Sequence, residues 1–188
     1  NGEIQIDVIV SDGQLTSDSQ SFILTVHPIN DAPVLSSISA QSIDEDNTFT
    51  YQLSADDVDG DALTYIASSS DGSVSIVGSI LTLVPDDNYN GDIQIDVTVD
   101  DGDLTDAGNF TLTVNPVNDA PVPGLIGVQS IDEDNTFTYQ LSADDVDGDA
   151  LTYTASSSDG SISIVGSTLT LVPDDDYNGE IQINVIVS

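Results

Sequence analysis

Residues 41–65, QSIDEDNTFTYQLSADDVDGDALTY, reappear without a change at 129–153, and this repetition constrains the fold more than any other feature of the chain. The offset of 88 residues also holds for NDAPV at 30–34 and 118–122, for SSSDGS at 68–73 and 156–161, and for Asn90-Gly91 and Asn178-Gly179. Near the start the offset is 89, because SDGQLTSDSQSF has one residue more than DDGDLTDAGNF. Residues 178–188 repeat residues 1–11 with Asn184 in place of Asp7. A period this long is a domain, since solenoid repeats run only ~20–45 residues. An array of near-identical domains is a geometric device rather than a set of distinct active sites.

Each period reads as strands. Ile93, Ile95, Val97 and Val99 alternate with Gln94, Asp96 and Thr98, the period-two pattern of a half-buried strand. Phe49, Tyr51 and Leu53 alternate in the same way, followed by Leu63, Tyr65 and Ala67. Val74 with Ile76, Leu81 with Leu83, and Phe110, Leu112 and Val114 complete the set. Turn signals separate these runs: Asp71-Gly72, Gly78-Ser79, Asn90-Gly91 and Asp101-Gly102. With a first strand near 38–43, the count is seven strands per period. Seven short strands with regular turns predict an immunoglobulin-like sandwich. The predicted fold class is all-β: tandem, seven-stranded Greek-key sandwiches. Pro33 and Pro121 interrupt the ladder and mark the joins. Residues 1–29 are then the last two strands of one domain, 30–117 a complete domain, and 118–188 a domain without its last strand. An isolated strand pair is marginal in water, so residues 1–29 are expected to need strands from elsewhere.

The charge narrows the function. The 188 residues include 34 acids, one His and no Lys or Arg, for a net charge of −34. Without cations the chain cannot neutralise phosphates, so nucleic acid and anionic membrane surfaces are not expected partners. No apolar run is long enough to span a membrane, which excludes insertion by a helix within this sequence. The absence of Cys rules out disulfides and thiolate chemistry. Aromatic residues, 5% of the chain, are too few to make a sugar-binding platform an attractive reading. His27 is the one possible imidazole base, and Asn115 replaces it in the next period, so catalysis is not expected.

The carboxylates themselves are clustered. Asp56, Asp57, Asp59 and Asp61 share one turn; Asp44, Glu45 and Asp46 share another; Asp86 and Asp87 are adjacent. Asn30-Asp31 and Asn118-Asp119 stand at the joins. Such clusters repel internally unless a hard divalent cation relieves them, and an all-oxygen set suits Ca²⁺. Gly60 permits the tight turn that lets the carboxylates converge. An EF-hand does not fit, because the twelfth position from Asp57 is Ser68 rather than Glu.

These motifs resemble those of bacterial cadherin-like tandem repeats, found in giant secreted adhesins and surface proteins. Ile43-Asp44-Glu45-Asp46-Asn47 resembles the family's P-E-N segment, which implies Glu45 and Glu133 as calcium ligands. Asp57-Val58-Asp59 and Asp145-Val146-Asp147 resemble its D-x-D ligands, here extended to D-x-D-G-D by Asp61 and Asp149. Pro85-Asp86-Asp87-Asn88 resembles its L-D-R-E turn, and Asn118-Asp119-Ala120-Pro121 its D-x-N-D-N-A-P linker. The resemblance implies calcium ions at the joins, one or two each, and an extracellular location, secreted or at the cell surface. It also implies that the partners are calcium and adjacent repeats of the same chain or neighbouring subunits. The expected function is a calcium-stiffened extender of an adhesin or extracellular fibre. Two alternatives are a filament subunit assembled by strand complementation between chains, and a carbohydrate-binding or enzyme-appended module.

Overall fold

The computed structural model describes residues 2–188, and the chain folds as two compact units, Asn1–Asn115 and Pro116–Ser188. Every regular element among the described residues is a strand, and no helix is long and apolar enough to cross a membrane.

In the first unit, β1 (Gly2–Val8) and β2 (Gln20–Val26) form an antiparallel hairpin. The rest is a sandwich. One sheet has the order β4 (Gln41–Asp44), β11 (Thr105–Asn115), β10 (Gly91–Asp100), β7 (Thr64–Ser69). The facing sheet has the order β5 (Phe49–Gln52), β9 (Ile80–Val84), β8 (Ser73–Val77). Two short strands absent from the sequence reading, β3 (Val34–Leu35) and β6 (Ala55–Asp56), pair with each other. The strand expected near 38–43 is β4, which starts at Gln41 and runs to Asp44.

The core follows from alternation along these strands. Ile93, Ile95, Val97 and Val99 of β10 point inward and are buried, as are Phe110, Leu112 and Val114 of β11. Leu81 and Leu83 of β9 and Phe49 of β5 close the core from the other sheet. Phe49 and Tyr51 pack against Phe110 with ring centroids 6.1 and 6.0 Å away, within the range of favourable aromatic pairs.

The second unit repeats the plan in part. It contains β12 (Val122–Pro123), β13 (Phe137–Gln140), β14 (Ala143–Asp144) and β15 (Tyr153–Ser157). β16 (Ser161–Val165), β17 (Thr168–Val172) and β18 (Ile183–Val187) follow. β13, β17 and β16 form one sheet, and β15 pairs with β18. No strand among the described residues stands where β11 stands in the first unit. The consequence is visible in identical sequence: QSID is strand β4 at 41–44 but has no ladder at 129–132. β4 pairs only with β11, so without that partner its backbone groups stay unpaired. The core shrinks accordingly, with Leu141, Leu169 and Leu171 as its buried residues.

Candidate cation site

The turn after β6 is built by one carboxylate. Asp57 Oδ1 accepts the backbone N–H groups of Asp59, Gly60 and Asp61 at 2.9, 2.8 and 3.2 Å. Gly60, at φ 80°, supplies the left-handed step that closes the turn. These bonds occupy Oδ1 and leave Asp57 Oδ2 buried without a hydrogen-bond partner. Asp57, Asp59 and Asp61 each present an oxygen, and these oxygens lie within 4.8 Å of one another. Among the described residues this is the one such group of three or more His, Cys, Asp or Glu side chains. A buried anionic oxygen without a donor is costly, and a hard cation is one group that satisfies it.

The segment leading into the domain is held to the same place. Asp31 donates its backbone N–H to Asp59 Oδ2 at 2.9 Å, and Asn30 Nδ2 donates to Asp101 Oδ2 at 3.0 Å. Asp101 belongs to the β10–β11 turn, where its Oδ1 accepts the N–H groups of Asp103 and Leu104 at 2.8 and 2.7 Å. Sequence reasoning missed Asp101 and Asp103. Their Asp-Gly-Asp was read only as a turn signal, and some 40 residues separate it from Asp61. The signal available was the alternation of β10, which carries its far end to the side where β6 ends.

The electrostatics differ within the cluster. Desolvation, then the charges of Asp57, Asp101, Asp59 and Asp103, push the Asp61 carboxyl above its ordinary 3.8. Asp101 moves the other way, lowered by the N–H groups of Leu104 and Asp103 and by Asn30. The two have opposite linkage. Between 3.8 and the raised value, folded Asp61 keeps a proton that the unfolded chain releases, so this group's contribution to stability falls as pH rises through that window. Asp101 contributes stability that is present above 3.8 and lost as pH falls through its depressed value. A cation bound at this turn would compete with the proton on Asp61. In a carboxyl carbon NMR titration, the Asp61 midpoint is expected above 3.8 in chelator and lower in saturating calcium. A midpoint that calcium does not move would speak against an ion bound at Asp61.

The second unit repeats the arrangement more loosely. Asp145 Oδ1 accepts the N–H groups of Asp147 and Asp149, both at 3.1 Å, and Asp119 donates its N–H to Asp147 Oδ2 at 2.7 Å. Asn118 turns its Nδ2 to the Asp119 carbonyl at 3.0 Å. The Asp145, Asp147 and Asp149 oxygens do not meet the spacing seen at 57–61.

Glu45, Asp86 and Asp87 lie at the opposite end of the first sandwich, near the start of β10 rather than its finish. Ten strand residues separate the two ends by roughly 30 Å. There Glu45 is 3% exposed, and its Oε2 accepts Asn90 Nδ2 at 3.4 Å. Its N–H bonds the Asn115 carbonyl at 2.9 Å, at the end of β11. Asp46 Oδ1 accepts the Asn88 N–H at 3.1 Å, while Asp86 and Asp87 are exposed. Glu133 has the same neighbours in sequence as Glu45 yet is exposed, because the strand that covers Glu45 has no counterpart there. Tyr89 is half-buried against the core and donates its hydroxyl to the Asp92 carbonyl at 3.2 Å, which suits a structural plug.

Comparison with known proteins agrees with this architecture. The chain is 28% identical over 129 residues to chitinase A of Pseudoalteromonas piscicida, a match covering 66% of this chain and 16% of that enzyme. In structure it resembles human protocadherin-24 EC1-2, with a TM-score of 0.51 at 18% identity, over 85% of this chain and 87% of that one. Drosophila N-cadherin EC1-4 gives a TM-score of 0.52 at 16% identity, over 92% of this chain and 52% of that one. At these identities the likeness concerns the fold, an immunoglobulin-like sandwich of the cadherin type. The bacterial Ig domain family matches residues 30–113 and again 118–188, so the chain is a tandem repeat belonging to that family.

Proposed function

We propose that the chain is a calcium-stiffened extender, a length of stalk in a secreted or cell-surface protein that holds another domain away from its anchor. The observation that carries this reading is the Asp57–Asp59–Asp61 turn, with its unbonded Asp57 Oδ2 and with Asn30 and Asp31 held alongside. Asp57, Asp59 and Asp61 would hold the ion, with Asp101 and Asp103 adding negative potential. Bound calcium supplies the positive charge that offsets their mutual repulsion. The chain's own part is to tie the entering segment to the domain through the Asp31 and Asn30 hydrogen bonds. A segment so tied swivels less, and a string of such domains reaches further than a flexible string of equal length. Asn118, Asp119, Asp145, Asp147 and Asp149 repeat the role in the second unit. Glu45, Asp86, Asp87 and Glu133 remain proposed ligands from the opposite ends of their domains. Affinity in the range of about 10⁻⁴–10⁻³ M is expected, as for extracellular calcium modules.

The match to part of a chitinase favours a second placement, as a non-catalytic spacer inside an enzyme of that kind. Calorimetric titration decides whether calcium belongs to either placement. Saturable binding that is lost on Asp57→Asn with Asp59→Asn supports it, and heats unchanged by those substitutions oppose it.

A further inference from the structure

The two sheets of the first sandwich differ in charge. β4, β10 and β11 carry Asp44, Asp92, Asp96, Asp100 and Asp106, whereas β5, β8 and β9 carry no charged residue. The second unit repeats the neutral sheet, since β13, β16 and β17 are also free of charge. β8 stands at one end of this sheet, and among the described residues its ladder partner is β9 alone. The other end is partly closed by the chain itself, because β3 pairs with β6 and Ser36 donates its N–H to the Ser54 carbonyl at 3.0 Å. Edge strands are ordinarily protected by a charge, a Pro or a bulge. β8, SVSIV, has no charge and no Pro, and its register with β9 is unbroken. Val77 on this edge is 79% exposed. β16, SISIV, is the same edge one repeat later, with Val165 80% exposed, so the bare edge is a property of the repeat itself.

We infer that β8 of one copy of this chain pairs antiparallel with β8 of a second copy, about a two-fold axis at Ser75. The hairpin sets the register. Val77 and Ile80 close a two-residue turn, so Ser73, Ser75 and Val77 bond to β9, while Val74 and Ile76 turn their backbone groups to the open edge. Pairing centred on Ser75 brings Val74 opposite Ile76 of the other copy, and each such pair exchanges both N–H···O=C bonds. Ser75 then meets Ser75, and Ser73 meets Val77, as the close pairs between those bonds. The neutral sheets of the two copies join into one continuous sheet. Charge selects a second copy as the occupant. A cationic partner is drawn to the acidic sheet and turns rather than to an uncharged strand. A second copy, at net charge −34, is repelled by approach over its acids and meets none along this edge. Asp71, the nearest acid, falls opposite Ser79 of the other copy in this register, not opposite its own equivalent. One strand pair is a small contact, so the association is weak and grows with concentration and with salt, which screens the remaining repulsion.

The absence of Cys makes a disulfide trap clean. The inference does not rest on calcium, so the whole chain is studied in chelator. Under mild oxidation Ser75→Cys is expected to give linked dimers several-fold faster than Thr50→Cys, which stands on the same row of the sheet but two strands away. Ser73→Cys mixed with Val77→Cys is expected to link, and Ser73→Cys alone to stay at background. In sedimentation the unmodified chain is expected to rise above monomer mass with concentration, more steeply at high salt. Ser75→Asp, which sets two like charges directly opposite, is expected to hold it at monomer. Thr50→Asp adds the same charge to the same exposed face and is expected to leave the association in place. Equal linking by Ser75→Cys and Thr50→Cys overturns the inference, as does Ser73→Cys alone linking as well as the mixed pair. So does a monomer at every concentration and salt, or an equal loss of association in the two Asp variants.

Discussion

Calcium at 10 mM is expected to stabilise the first unit against urea by about 2.7 kcal/mol, the value for one ion at a hundred times a Kd of about 10⁻⁴ M. The effect is large because it adds to a domain whose whole stability is on the order of 5–15 kcal/mol. Asp57→Asn with Asp59→Asn is expected to remove it. The amide oxygens still accept the N–H groups of Asp59, Gly60, Asp61 and Asp31, so the turn keeps its hydrogen bonds and loses two charges. The sign therefore reverses in chelator. Without calcium the variant should match or exceed the parent in stability, because repulsion is relieved; with calcium it should fall below. Urea midpoints measured with and without calcium check both halves. Equal calcium responses in parent and variant would remove the site from 57–61.

The second large effect concerns the core. Leu83→Ala is expected to cost about 3–5 kcal/mol, since Leu83 is fully buried between two complete sheets and its cavity cannot drain to solvent. Leu171→Ala, the same position one repeat later, is expected to cost less. Phe137, Ile181 and Ile183 around it are only half-buried and line an open groove of about 910 Å³, so water or relaxed side chains enter the space. The second unit should accordingly unfold before the first, giving two transitions in a melt. A single transition, with equal costs at the two leucines, would contradict the difference in burial between the two cores.

Much of the sandwich was legible because alternation survives in the sequence. Ile93 through Val99 and Phe110 through Val114 occupy the inward positions that their period requires. What alternation cannot report is pairing. QSID at 41–44 and at 129–132 is the same sequence, and its state depends on whether β11 or nothing lies beside it. Glu45 and Glu133 differ in burial for the same reason. The two-residue strands β3 and β6 were also out of reach, since each is too short to show a period. At the candidate cation site, the D-x-D-G-D spacing pointed to the turn that Asp57 builds. The contribution of Asp101 was hidden because contacts between loops on different strands leave no local pattern. Asp101 enters only once the β10–β11 hairpin sets its height beside Asp61.

Calcium binding at this turn is tested most directly by amide and side-chain NMR during a calcium titration of the whole chain. The Asp31 amide, the Asn30 side-chain amide and the amides of residues 57–61 and 101–104 should shift together and saturate at millimolar calcium. Residues 118–119 and 145–149 should follow in the second unit. Signals that drift evenly over all acidic residues, without saturation and without singling out Asp31, would contradict a bound ion and leave a solvated acidic turn.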